Sequence, residues 1–89
     1  AAEVRSRGQE VGEGVRFERA VLRSEPAGVL AELIRGLHHE RLGGGGQDAL
    51  GHAALTACIR VLRDDIGGVR RLNTAGMWVA VTGEYVTFS

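Results

Sequence analysis

The spacing of apolar and polar residues changes several times along this chain, and each change predicts an element. Ala1 to Gly14 is polar and glycine-containing, with Glu3, Arg5, Arg7, Glu10 and Glu13, and reads as a mobile tail. Val15-Arg16-Phe17-Glu18-Arg19-Ala20-Val21-Leu22 then opens on strict alternation, the pattern of a strand with one buried face, so Val15, Phe17 and Val21 are expected to point inward. Arg23-Ser24-Glu25-Pro26 stops that strand, because the proline ring pushes Glu25 towards extended geometry and itself suits the first turn of a helix. A helix is predicted from Pro26 to His39, with Val29, Leu30, Leu33, Ile34 and Leu37 on one face and Glu32, Arg35 and His38 opposite. A second helix is predicted from the end of the glycine run to Arg63, with Asp48 as its N-cap. Its stripe is Leu50, Ala54, Ala57, Cys58 and Val61, widened by Leu55, Ile59 and Leu62. The remainder reads as β: Val69 to Thr74, Met77 to Thr82, and a tight turn at Gly83-Glu84 into Tyr85 to Phe88.

The order is β, α, a weak or missing β at Arg41 to Gly43, α, then two or three β. That predicts an α+β fold, a two-layer sandwich with two helices on one face of a small mixed sheet. The predicted organisation is a tail at residues 1–14 and a single domain at 15–89. Alternation places Trp78, Ala80 and Thr82 on one face of their strand and Val79 and Val81 on the other. Both faces are largely apolar, so a helix is expected on one and a partner subunit on the other.

Composition narrows the partner. The chain has 89 residues and a formal net charge of zero, which speaks against a purely electrostatic nucleic-acid binder. Every cation is arginine, a side chain that grips phosphate bidentately and stacks on bases. Aromatics are few: Phe17, Trp78, Tyr85 and Phe88 are all of them. A stacking platform for single-stranded bases is therefore expected to be poorly provisioned. The one cysteine, Cys58, cannot form an internal disulfide. It reads as a buried structural thiol in an intracellular, reducing compartment, in the cytoplasm or an organelle matrix. No apolar run is long enough to span a bilayer, so no membrane partner is expected.

Two stretches carry candidate chemistry. Gly43 to Gly46 leads into the second helix, and loop amides beside a helix N-terminus can seat an anion. On the glycines alone a flexible linker is the better reading, since a Walker loop needs a following Gly-Lys-Ser/Thr and the chain has no lysine. The histidines are His38, His39 and His52. His38 and His39 diverge by roughly 100° around a helix and read as a solvated helix end rather than a metal pair. His52 follows Asp48 by four residues, but no nucleophile stands at a suitable spacing. The expectation is no catalytic residue, no metal and no cofactor.

Val21-Leu22-Arg23-Ser24-Glu25-Pro26 leading into Val29-Leu30-Ala31-Glu32-Leu33, and Gly46-Gln47-Asp48-Ala49-Leu50-Gly51-His52-Ala53 followed by Ile59, resemble the Alba superfamily, and within it the bacterial stage V sporulation protein S group. The resemblance covers Val15 to Arg63. It implies nucleic-acid binding by a dimer, with phosphates met by a basic residue before the first helix and by the glycine turn before the second. Carried onto this sequence, those positions are Arg23 with Ser24, and Gly44, Gly45, Gly46 and Gln47. Arg70 and Arg71 are chosen from the residues alone as further cations. The chain departs from the family pattern in lacking lysine and in having glycines where an apolar second strand is expected. The expected function is binding of an RNA or DNA backbone, as a homodimer or within a ribonucleoprotein. The alternative is a structural subunit packed against other proteins in an assembly such as a ribosome.

Overall fold

The chain forms five short strands: β1 (Gln9–Val11), β2 (Gly14–Glu18), β3 (Arg70–Thr74), β4 (Met77–Val81) and β5 (Tyr85–Phe88). The structure, a computed structural model, describes residues 2–12, 14–42, 50–63 and 69–89, with the side chains of 2, 3 and 42 excepted. The strands form one sheet in the order β1-β2-β5-β4-β3, and every neighbouring pair is antiparallel. The sheet is thus antiparallel throughout, where a mixed one was expected. Hairpins join β1 to β2, β3 to β4 and β4 to β5, and antiparallel neighbours need no long crossover.

One face of the sheet is the floor of the core. Val15 and Phe17 of β2, Met77, Val79 and Val81 of β4, and Val86 and Phe88 of β5 all lie on it and are almost completely buried. Phe17 meets Phe88 edge to face, with ring centroids 5.8 Å apart, a favoured geometry for paired rings. Helices α1 (Ala2–Arg5), α2 (Arg19–Arg23), α3 (Ala27–Leu42) and α4 (His52–Arg63) form the second layer. The molecule is a two-layer α+β sandwich.

The two long helices bury the stripes that their spacing demands. In α3 these are Leu30, Leu33, Ile34 and Leu37. His38 joins them, four residues after Ile34, and is buried rather than solvated: its Nε2 lies 2.9 Å from the carbonyl oxygen of Ala75 in the β3–β4 turn. In α4 the buried set is Leu55, Cys58 and Leu62, while Ala57 is exposed. The stripe is rotated towards the larger residues, which gain most from leaving water. The α4 helix begins at His52, with the Gly51 carbonyl accepting from the Leu55 amide at 3.0 Å. Asp48, expected to cap this helix, lies outside the described residues.

Three further elements differ from expectation. Residues 19–22 are helical instead of continuing β2. The Arg19 amide leaves the ladder to donate to the Glu84 carbonyl at 2.8 Å, its guanidinium donates to the Thr82 carbonyl, and Leu22 turns into the core. Arg41 and Leu42 belong to α3, so no strand occupies them. The stretch read as a tail contains α1 and β1: Val4 is a core residue, and Arg5 donates a two-pronged bond to Glu40 of α3 at 2.9 and 3.2 Å.

Candidate nucleic-acid interface

The second face of the sheet is built by the residues that alternate with the core. Pairing sets Gln9, Arg16, Thr87, Ala80 and Arg71 in one row across all five strands. Glu18 pairs with Tyr85, and Trp78 pairs with Asn73. Among the described residues this face is open: Trp78 is 45% exposed, Gln9, Glu18, Arg71 and Asn73 are exposed, and Arg16, Ala80, Tyr85 and Thr87 are half-buried.

Each aromatic on this face is matched with an arginine. The guanidinium of Arg71 lies 5.0 Å from the Trp78 ring centroid, and that of Arg16 lies 4.3 Å from the Tyr85 centroid. Both fall within the range of cation–π attraction. Because Trp78 stands opposite Ser89, to whose amide its carbonyl is bonded, it is displaced from Tyr85 by four residues of strand, roughly 14 Å. The two rings are far enough apart to receive separate bases. The two phenylalanines are in the core, and the tryptophan and tyrosine, which carry an indole N–H and a phenolic hydroxyl, are on the open face.

Only part of the sequence-predicted site lies within the described residues. Gly44, Gly45, Gly46 and Gln47 lie outside the described residues, so their relation to Arg23 does as well. Arg23 is exposed at the end of α2, in the helical layer, and Ser24 is that helix's C-cap, its hydroxyl donating back to the Val21 carbonyl at 2.9 Å. A helix C-terminus is the negative end of the helix dipole and does not favour an anion. The strand pleat separates Arg70 from Arg71: Arg70 pairs with Val81 on the core side, Arg71 with Ala80 on the open side. Of the expected cations, Arg71 alone belongs to the aromatic face.

Arg16, Tyr85 and Trp78 are candidate site residues that sequence reasoning passed over. Their signal was the two-residue alternation of β2, β4 and β5, but their convergence depends on cross-strand register. His52 approaches Thr56 on the surface of α4, with 3.5 Å between Nε2 and Oγ1. Among the described residues no three His, Cys, Asp or Glu side chains are grouped to hold a metal ion, and no helix is long and apolar enough to cross a membrane. Comparison with protein-family models, with curated proteins and with solved structures finds no match to this chain.

Proposed function

We propose that this chain binds single-stranded nucleic acid on the open face of its sheet and performs no catalysis there. The observation that carries this reading is Trp78, the only tryptophan, exposed on that face beneath the Arg71 guanidinium. Stacking of a base on an aromatic ring contributes about 1–3 kcal/mol and needs no net positive charge, which suits a chain of net charge zero. Arg71 and Arg16 then supply phosphate contacts and guanidinium planes beside the rings. This keeps the class of partner that the Alba resemblance implies but moves the contact from backbone gripping at a glycine corner to base stacking on the sheet.

Titration with mixed-sequence single-stranded RNA and DNA tests the reading, because Trp78 is its own fluorescent probe. Saturable quenching by single strands, and weaker binding of duplexes, is the expected result. In a labelled-oligonucleotide anisotropy assay, Trp78→Ala is expected to weaken binding about tenfold or more. With two arginines contacting phosphate, log K should fall with log salt at a slope of roughly −1.4. Absence of saturable binding, or binding untouched by Trp78→Ala, overturns the proposal. In that case a chain that self-associates in sedimentation returns the reading to a structural subunit, whose supporting feature is the exposure of Val69 at 75% beside the β3 edge.

A further inference from the structure

At the β1–β2 margin of the open face the structure forms a cleft of about 470 Å³, in the size range of small-ligand sites. One wall is the α1–β1 loop, Ser6, Arg7 and Gly8, and the other is β2 with Tyr85. The loop wall is fixed in place. Gly8 lies so close to the core that an added Cβ would sit 2.7 Å from both the Phe17 ring and Val15. Val4 is buried on one side of the loop, and Arg5 is locked to Glu40.

The cleft's chemistry is ordered. Arg7 offers a cation from the loop wall. Arg16 lines the cleft with its guanidinium 4.3 Å from the Tyr85 ring centroid, is steadied by donating to Gln9 Oε1 at 3.0 Å, and carries the planar group on which a base can stack. Glu18 lines the cleft from β2 and, when ionised, only accepts hydrogen bonds. A phosphate alone would be repelled by Glu18. A group with phosphate at one end and hydrogen-bond donors at the other satisfies both walls. Among the four RNA bases, guanine alone presents two adjacent donors, N1–H and the N2 amine, to a single carboxylate. Adenine and cytosine set an acceptor beside their amine, and uracil flanks its N3–H with two acceptors.

We infer that this cleft binds a nucleoside monophosphate, guanosine in preference to the others, with its phosphate on Arg7, its base on Arg16 and its donors on Glu18. The nucleotide is either free or the phosphorylated end of a strand lying on the sheet. The second form rests on the sheet-face proposal and the first does not. Calorimetric titration with free GMP, AMP, CMP and UMP, and with guanosine-ended oligonucleotides carrying a terminal phosphate or hydroxyl, tests it on the intact chain. GMP is expected to bind several-fold tighter than the other three. Arg7→Ala should weaken all four about tenfold, and Glu18→Gln should abolish the guanine preference. If the strand end is the source, a terminal phosphate adds affinity that Arg7→Ala removes, while the hydroxyl-ended strand binds that variant unchanged. Absence of nucleotide binding at millimolar concentration together with no gain from a terminal phosphate overturns the inference, as does nucleotide binding indifferent to Arg7→Ala. Hydroxyl-ended strands that still bind leave the sheet-face reading standing in that case. Conversely, GMP binding with these dependences and no oligonucleotide binding would sink the sheet-face reading alone.

Discussion

At Gly8 the backbone runs hard against the core. Phe17 is buried and held edge-on by Phe88, so it cannot retreat from a methyl group placed 2.7 Å away. Gly8→Ala is expected to lower stability by about 1–3 kcal/mol, read as a shift in the denaturant midpoint. Cys58 is the other telling single residue. Burial pushes its thiol up from 9.0 to about 11, so the fold prefers the neutral form. In the unfolded chain the thiol ionises near pH 9, which draws protein out of the native state as pH rises. Stability from this group is therefore whole below pH 9 and is lost between 9 and 11, by roughly 2–3 kcal/mol. Alkaline denaturation curves should be shallower for Cys58→Ala than for the parent chain.

At the scale of elements, α3 and the β3–β4 hairpin each carry a local flaw. Gly36 is exposed within α3, and an added Cβ there meets nothing within 4 Å. Gly36→Ala should raise stability by about 0.5–1 kcal/mol, seen as a higher melting temperature. The hairpin turns through Ala75 and Gly76, with φ of 49° and 94°. A two-residue turn of this hand suits the twist of its strands but strains an alanine. Gly76 donates to the Asn73 side chain, and His38 reaches the Ala75 carbonyl, so the neighbourhood enforces the strained geometry. Ala75→Asn keeps that backbone and is expected to raise the melting temperature by a few degrees. The strand readings of Met77 to Thr82 and Tyr85 to Phe88 came from β-forming residues and the turn signal at Gly83-Glu84, both local features that the hairpin keeps. The strand reading of residues 19–22 failed because Arg19 is bonded to the β4–β5 turn, 63 residues away in sequence for its guanidinium contact with Thr82, and no local pattern reports such a partner.

Over the whole molecule, the N-terminal stretch is joined to the domain by contacts that composition hides. The Arg5 fork, above all through its hydrogen bonds, holds the Glu40 carboxyl below its ordinary 4.5, and the same bond raises the Arg5 pKa. A depressed carboxyl pKa contributes stability above the ordinary value and loses it as pH falls through the folded value. Both side chains are partly exposed, at 31% and 51%, so the contribution is below about 1 kcal/mol. Its sharper effect is local. In Glu40→Gln, compared with the parent chain at the same pH, amide exchange at residues 4–8 should accelerate while that of β4 and β5 is unchanged.

Period and composition were enough for the two-layer class, the two long helices, the terminal hairpin and the burial of Cys58, because a helix of period 3.6 or a strand of period 2 must turn its apolar side to a core. Tertiary pairing alone decided the rest. It brought residues 9, 16, 71, 80 and 87 into one row, sent two aromatics inward and two outward, and parted Arg70 from Arg71. The physical reason is that alternation states which residues share a side within one strand, whereas a surface spanning five strands is set by register, and register comes from turns and contacts far apart in the chain.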